Sequence, residues 1–410
     1  MTIRTATDPQ ADPSAAPLDL VVVGGAGHVG LPLSLAFVHA GLRVGVLDVA
    51  EDTLARVGAG HMPFMEPGAP ELLDEALRSG RLELGSSGTM LSRADTVIVV
   101  IGTPVDEFLS PSMSALDEVI RDLVAHVREG ALVVLRSTMF PGTTGRVAQA
   151  MRDAGRSVDV AVCPERIAEG HAVEELTTLP QIVGADDERA GDRAELLFRH
   201  LADRIVRTST REAELAKLFT NTWRYMKFAV ANQFFTIATD AGVDYARVLQ
   251  AIRTDYPRAA DLPGPGFAAG PCLFKDTMQL AAFTPDHFPM GHSAMLVNEG
   301  LPGWIVARME RRYGPLRGRR IGLLGVAFKA ESDDTRSSLS YKLRKLLIRE
   351  GATVDCTDPY ARNPDLLPLE QVLETAEILV IGAPHRPYRD LDLAGREVVD
   401  VWGMHGTFRP

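Results

Sequence analysis

The stretch Leu18-Asp19-Leu20-Val21-Val22-Val23-Gly24-Gly25-Ala26-Gly27-His28-Val29-Gly30-Leu31-Pro32-Leu33-Ser34-Leu35-Ala36-Phe37 decides the fold. A short apolar run stops at a glycine turn and passes into a helix-forming sequence. Gly25, Gly27 and Gly30 have the spacing of a dinucleotide-binding turn, in which glycines let the chain turn tightly, admit a pyrophosphate and pack the helix on the sheet. The helix N-terminus then offers backbone N–H groups to phosphate. Asp48 closes the next apolar run, Leu42 to Leu47, eighteen residues after Gly30. A carboxylate there accepts hydrogen bonds from an adenosine ribose and repels a 2′-phosphate, so NAD is expected rather than NADP. An ordinary strand-to-helix turn is the competing reading, and the position of Asp48 weighs against it. His28 and Val29 sit inside the turn, where His28 reads as a spacer beside phosphate rather than a catalyst.

Further apolar runs at 96–101, 131–135 and 158–162 alternate with helical stretches, a pattern that implies a parallel, doubly wound sheet. From Glu212 to Ala241 there is no Gly or Pro, and Leu215, Leu218, Phe219, Met226, Val230, Phe234 and Ile237 recur at helical spacing. A helix of that length suits a central spine, with spare apolar surface for a dimer interface. After a Gly/Pro-rich loop around Cys272 and more helix to Tyr313, the β/α alternation restarts at 320–325 and continues at 353–356, 378–381 and 398–401. The expected fold class is α/β, with two Rossmann-like doubly wound domains joined by a long central helix and a helical dimerisation segment. The expected divisions are a disordered leader over 1–17, a dinucleotide domain over 18–208, a central helical domain over 209–314 and a second α/β domain over 315–410.

At 410 residues, 46% of them hydrophobic, the chain is long enough for more than one core. Its 43 Lys and Arg against 54 Asp and Glu give a formal net charge of −11, which offers no broad basic field for nucleic acid or an anionic membrane. No apolar run approaches the roughly 20 residues of a membrane span. Cys163, Cys272 and Cys356 lie far apart with no paired spacing, which argues against a disulfide framework and a thiolate zinc site and fits a reducing cytoplasm. No metal is expected.

One cysteine stands apart. Gly264-Pro265-Gly266-Phe267-Ala268-Ala269-Gly270-Pro271-Cys272-Leu273-Phe274-Lys275-Asp276 puts a thiol at the end of a loop of small residues, with a cation and a carboxylate three and four residues later. A nucleophilic thiolate is presented in this way, and a buried structural thiol is the competing reading. Small hydroxyl residues follow two strand-like runs, Thr103-Pro104 and Ser137-Thr138, at the strand ends where doubly wound folds collect ligands; plain turn chemistry is the alternative. A third run ends at Cys163, read as a packing residue, and leads into Pro164-Glu165-Arg166-Ile167-Ala168-Glu169-Gly170. If that segment is helical, Glu165 and Glu169 share a face. Lys217 and Asn221 also lie four apart, on the long helix, either as solvated surface or as a desolvated ammonium and amide suited to stabilising an alkoxide or assisting deprotonation. The second α/β domain opens with Gly325-Val326-Ala327-Phe328-Lys329 and then Asp333-Asp334-Thr335-Arg336, cations that fit phosphates or a solvated loop.

In this order the motifs closely resemble the UDP-glucose/GDP-mannose dehydrogenase family. The resemblance spans nearly the whole chain after the leader and includes Pro141-Gly142-Thr143-Thr144. It implies an NAD domain, a dimerising centre and a nucleotide-sugar domain. It further implies oxidation of a sugar CH₂OH to a carboxylate with two NAD in succession, through a Cys272 thiohemiacetal and thioester whose oxyanion Lys217 and Asn221 stabilise. By the same resemblance Asp276 and Glu165 orient or activate water, and Thr138 helps hold the reacting end. Cofactor contacts are then Gly25, Gly27, His28, Val29, Gly30, Asp48, Thr103, Thr138, Glu169, Lys275 and Arg336. Substrate contacts are Glu165, Arg166, Lys217, Asn221, Gly266, Phe267, Phe328 and Lys329, with Arg258 reaching in from a second subunit of a homodimer or higher oligomer. The chain departs from the family at His28, at Cys163 before Pro164, at Leu273-Phe274 and at Asp400-Val401-Trp402, which stands where some members carry an arginine. The nucleotide and the sugar therefore stay open. A two-electron β-hydroxyacid-type dehydrogenase, which needs no Cys272, and a catalytically silent NAD-binding protein are the alternatives.

Overall fold

The computed structural model describes residues 16–103, 105–106, 114–268, 270–284, 287–393 and 395–405. The leader expected over 1–17 falls mostly outside these residues, and the first strand starts at Leu18. The chain forms two compact units, 1–219 and 220–410.

Among its described residues the first unit carries eight strands: β1 (Leu18–Val23), β2 (Val44–Leu47), β3 (Leu82–Gly85), β4 (Ala94–Val99), β5 (Leu132–Leu135), β6 (Asp159–Val162), β7 (Gln181–Gly184) and β8 (Ile205–Thr208). Their order in the sheet is β3-β2-β1-β4-β5-β6-β7-β8. Every pairing is parallel except β6 with β7, which meet antiparallel at Val162 and Gly184, a departure from the all-parallel sheet expected. Side chains alternate between two cores, as a sheet covered on both faces requires. Leu20, Val22, Ile98, Leu132 and Val134 enter one core, while Val21, Val23, Val97, Val99, Val133 and Leu135 enter the other.

The helix after β1, α1 (Gly30–His39), is almost wholly buried, which explains its unbroken apolar sequence. Strand order reverses between β1 and β4, so the turn at 24–30 opens at the crevice where such sheets bind ligands.

The second unit has a four-stranded parallel sheet of β9 (Arg320–Leu324), β10 (Thr353–Thr357), β11 (Ile378–Ile381) and β12 (Glu397–Val399), in the order β10-β9-β11-β12. Ile321, Leu323, Ile378 and Val380 face one core and Leu324, Leu379 and Ile381 the other. The limits of β1 and β11 coincide with the expected ones, and those of the other expected strands lie within two residues of them.

The long helix α2 (Thr210–Asp240) holds 31 residues and contains the boundary between the units. On it Leu218, Tyr225, Ala229 and Phe235 are buried, whereas Phe219, Trp223, Val230, Phe234 and Ile237 are 43–57% exposed. Further on come α3 (Leu273–Phe283), α4 (Pro289–Tyr313) and α5 (Leu339–Arg349). Among the described residues no helix is long and apolar enough to cross a membrane.

Candidate active site

In the first unit the glycine turn is held from behind. Asp48 is buried, and its carboxylate accepts the Ala26 N–H at 3.0 Å and the Ala50 N–H at 3.1 Å. The carboxylate thus shapes the turn. At Gly30 a Cβ would lie 2.5 Å from the Gly24 carbonyl oxygen, so only glycine lets α1 start this close to the sheet. No acidic side chain occupies the first turn of α1, which leaves its positive end to a phosphate. These features fit a dinucleotide. The His28 ring stacks on Phe64, with centroids 4.1 Å apart, in keeping with a spacer.

The hydroxyls at the strand ends divide by role. Ser137 accepts the Ile101 N–H at 2.8 Å and is buried, joining the ends of β4 and β5. Thr103 donates to the Thr138 carbonyl at 3.0 Å, which places the two threonines together. Pro104 lies outside the described residues.

The segment 163–168 is not helical, so the shared helical face of Glu165 and Glu169 does not form. The cause is Arg136, which the sequence reading passed over. Fully buried, it donates to Glu165 at 2.5 Å, to Gln181 at 2.9 Å and to the Cys163 carbonyl at 3.0 Å, with its guanidinium 4.6 Å from the Phe198 ring centre. The other Glu165 oxygen accepts the N–H groups of Arg166 and Ile167. A chain held at both carboxylate oxygens in this way has no freedom to wind. Glu169 lies in the turn that follows, half-buried, and Arg166 donates to the Pro180 carbonyl. Cys163 is a packing residue, its thiol pushed up to about 12 by burial.

Lys217 and Asn221 lie one turn apart on α2 and are 8% and 3% exposed, so the solvated-surface reading of the pair does not hold. One turn earlier, buried Glu214 accepts the Gly142 N–H at 2.6 Å and both the N–H and hydroxyl of Thr144 at 2.8 and 2.7 Å. It thereby fixes the Pro141–Thr144 turn to α2.

In the second unit Cys272 is the N-cap of α3 and is exposed. Negative charge on its sulfur is favoured there by the helix N-terminus. Lys275 and Asp276 occupy the first turn and pair with each other at 3.0 Å. Asp276 is fully buried and accepts the Asn221 amide at 2.6 Å. Cys356, in contrast to Cys272, is buried with its thiol raised to about 11.

The loop before Cys272 is fixed by residues that spacing did not reveal. Asn232 of α2, fully buried, donates to the Gly266 carbonyl at 3.0 Å and accepts the Gly266 N–H at 2.8 Å. It also donates to Asn298 of α4 at 2.9 Å, and Asn298 in turn donates to the Tyr225 carbonyl. Gly266 has φ 144°, and the Trp402 ring packs against the face where a Cβ would be. Phe267 meets Trp402 edge to face at 6.0 Å. Ala269 lies outside the described residues. The only signal in the sequence was an asparagine in an apolar helix, which has no pattern of its own.

Asn232→Ala strands both polar groups of Gly266 and is expected to cost about 2–4 kcal/mol, read by denaturant unfolding. Asn232→Asp keeps the shape but loses both donated hydrogen bonds, and is expected to cost at least as much.

Phe328 donates its N–H to the Asp334 carbonyl at 2.9 Å, and the Lys329 ammonium lies 5.8 Å from the Phe328 ring centre. Arg336 is exposed and grips Asp334 with three contacts of 2.6–2.9 Å. Arg258 is exposed beside Tyr256, its guanidinium 5.8 Å from that ring.

Compared with known proteins, the chain matches three models of one family over most of its length. These are the UDP-glucose/GDP-mannose dehydrogenase family NAD-binding domain over residues 19–202, the central domain over 211–299 and the UDP-binding domain over 322–405. It is 30% identical to the UDP-N-acetyl-D-mannosamine dehydrogenase of Pyrococcus horikoshii over 91% of each chain. It is 29% identical to the GDP-mannose 6-dehydrogenase of Pseudomonas putida over 94% of this chain and 96% of that one. A solved UDP-glucose dehydrogenase from Pyrobaculum islandicum superposes with a TM-score of 0.87 at 31% identity, covering 95% of each chain.

Proposed function

Because this chain belongs to the UDP-glucose/GDP-mannose dehydrogenase family, and so binds NAD and oxidises a nucleotide sugar, we propose that it carries a C6 hydroxymethyl group through the aldehyde to the carboxylate. The observation that carries this reading is Cys272, which is exposed at the start of α3 one turn from a buried, amide-bound Asp276. A two-electron alcohol oxidation has no use for a thiol there.

NAD supplies the hydride acceptor for each of the two oxidations. The chain supplies the rest. In the first oxidation the alcohol proton leaves to an ordered water held beside Lys217 and Asn221. The Cys272 thiolate then adds to the aldehyde carbon, the new C–S bond sending the carbonyl electron pair to oxygen. That oxyanion is held by the Lys217 ammonium and by the Asn221 N–H not given to Asp276. The second oxidation turns the tetrahedral adduct into a thioester. Water, oriented by Glu165, Thr138 and Asp276, adds to the carbonyl, the C–S bond breaks and the thiol is regenerated. The balance is one sugar alcohol, two NAD⁺ and one water in, and one carboxylate, two NADH and three protons out.

The binding surface for the nucleotide sugar is assigned to Gly266, Phe267, Phe328, Lys329 and Arg166, and Glu169, Lys275 and Arg336 are assigned to NAD. The exposed apolar stripe on α2 supports a second copy of the chain as its cover, with Arg258 reaching the partner's site.

The test is a count. Purified protein with excess NAD and a limiting nucleotide sugar is expected to release two NADH per sugar consumed. UDP-N-acetylhexosamines lead the panel because the Pyrococcus relative is named for one. One NADH per sugar, with an aldehyde or ketone product, would return the assignment to the two-electron alternative. NAD binding with no turnover on any sugar would favour the silent protein.

A further inference from the structure

The two sheets repeat one local design. In the first, Gly24 (φ 76°) follows β1, and Asp48 just past β2 accepts the Ala26 N–H. In the second, Gly325 (φ 90°) follows β9, and Asp358 just past β10 accepts the N–H groups of Val326 and Ala327 at 2.7 and 3.1 Å. The second oxygens match as well, that of Asp48 accepting the Ala50 N–H and that of Asp358 the Tyr360 and Ala361 N–H groups at 2.9 Å each. The Asp358 side chain has no solvent exposure. Its inner oxygen also accepts Nε2–H of His385, equally buried, at 3.1 Å. Burial alone would raise this carboxyl, but the hydrogen bonds from His385 and the backbone hold it down at about 2.

His385 faces the other way as well. Its Nδ1 accepts the Glu331 N–H at 3.0 Å, so the hydrogen bonds assign the neutral Nε2–H tautomer. Glu331 has φ 53°, a left-handed conformation that a side chain of its size adopts only when held. Its carboxylate is held too, accepting the Arg386 N–H at 2.6 Å and the Tyr360 hydroxyl at 3.1 Å. The constrained residue lies two positions after Lys329 and five before Arg336.

We propose that His385 is a positioning residue for the nucleotide-sugar loop: braced on Asp358, it locks Glu331 in the left-handed conformation that presents Phe328 and Lys329. The acid that shapes the turn in both sheets serves in the second to orient an imidazole as well. The inference rests on the assignment of Phe328 and Lys329 to the nucleotide sugar, while its structural half stands on the hydrogen bonds alone.

The test uses the full-length protein and three variants. His385→Gln keeps a donor for Asp358 and loses the acceptor for Glu331. Tyr360→Phe removes only the hydroxyl on the Glu331 carboxylate. Leu343→Ala opens the core of the same unit at a fully buried residue of α5 and serves as the control for general destabilisation. In hydrogen–deuterium exchange, His385→Gln is expected to lose protection at Glu331 and through 328–336 by about tenfold or more, the size of one lost buried hydrogen bond, Tyr360→Phe by less, and Leu343→Ala not selectively there. In kinetics, His385→Gln is expected to raise KM for the nucleotide sugar by about tenfold with kcat nearly unchanged.

Unchanged protection at Glu331 in His385→Gln overturns the proposal whatever the substrate proves to be. An equal rise in KM in Leu343→Ala overturns it as well, by reducing the effect to stability. Lost protection with unchanged KM leaves the lock standing and removes the assignment of Phe328 and Lys329 to the sugar.

Discussion

Cys272→Ala is expected to abolish carboxylate formation while leaving NAD bound. The physical reason is the aldehyde, which has no hydride to give until a nucleophile has made its carbon tetrahedral. Without the thiol only water can add, and it has neither the sulfur's nucleophilicity nor its fixed place at the head of α3. The loss in two-NADH turnover is expected to reach about 10³-fold or more, with at most one NADH formed per sugar. Rapid quench of the wild-type protein with one equivalent of NAD, followed by mass analysis, should show sugar on the Cys272 peptide. Burial makes Cys163 and Cys356 poor competitors for that label, their thiols raised to about 12 and about 11. A Cys272→Ala variant that still releases two NADH per sugar at more than a few per cent of the normal rate would exclude the thioester.

Gly266→Ala is expected to be nearly as damaging although it adds a single methyl group. At φ 144° a side chain is strained in any surroundings, and here the Cβ would lie 2.3 Å from the Trp402 ring. Neither partner can yield. Asn232 holds Gly266 at both its N–H and its carbonyl, and Trp402 is anchored by its indole N–H on the Ile381 carbonyl at 3.2 Å. Strain and overlap together are expected to cost about 2–5 kcal/mol, and loop displacement by about 1 Å to lower kcat/KM roughly 10²-fold. The double variant Gly266→Ala/Trp402→Ala separates the two contributions: removing the ring relieves the overlap but leaves the φ strain, so rescue should be partial. Full activity in the single variant would mean that the loop before Cys272 takes no part in the reaction.

Much of the fold was legible in the sequence because its signals are local. The run 18–37 contains a strand, a glycine turn and a helix within twenty residues, and each part has its own periodicity. The same holds for the restart at Arg320 and for the helix from Thr210 to Asp240, whose limits were read to within two residues. The antiparallel β7 was not legible, since a run as short as Gln181-Ile182-Val183-Gly184 carries no mark of its direction.

The site divides along the same line. Motif residues with fixed spacing, such as Gly30 with Asp48 or Cys272 with Asp276, could be named from the sequence. Arg136, Glu214, Asn232 and His385 could not, because each acts on a partner 29, 70, 34 or 54 positions away. Spacing even misled at Glu165 and Glu169, where a helical reading gave way to a carboxylate gripped by Arg136.

The sequence by itself determined the class of fold, the family, the cofactor and the thiol to examine, since each rests on short-range chemistry between neighbouring residues. Only the tertiary structure decided that Lys217 and Asn221 are desolvated, that Asp276 is held by Asn221, and that Gly266 is enclosed by Asn232 and Trp402. Burial and pairing depend on which distant segments meet, and a one-dimensional pattern carries that information only as the condition that some partner must exist.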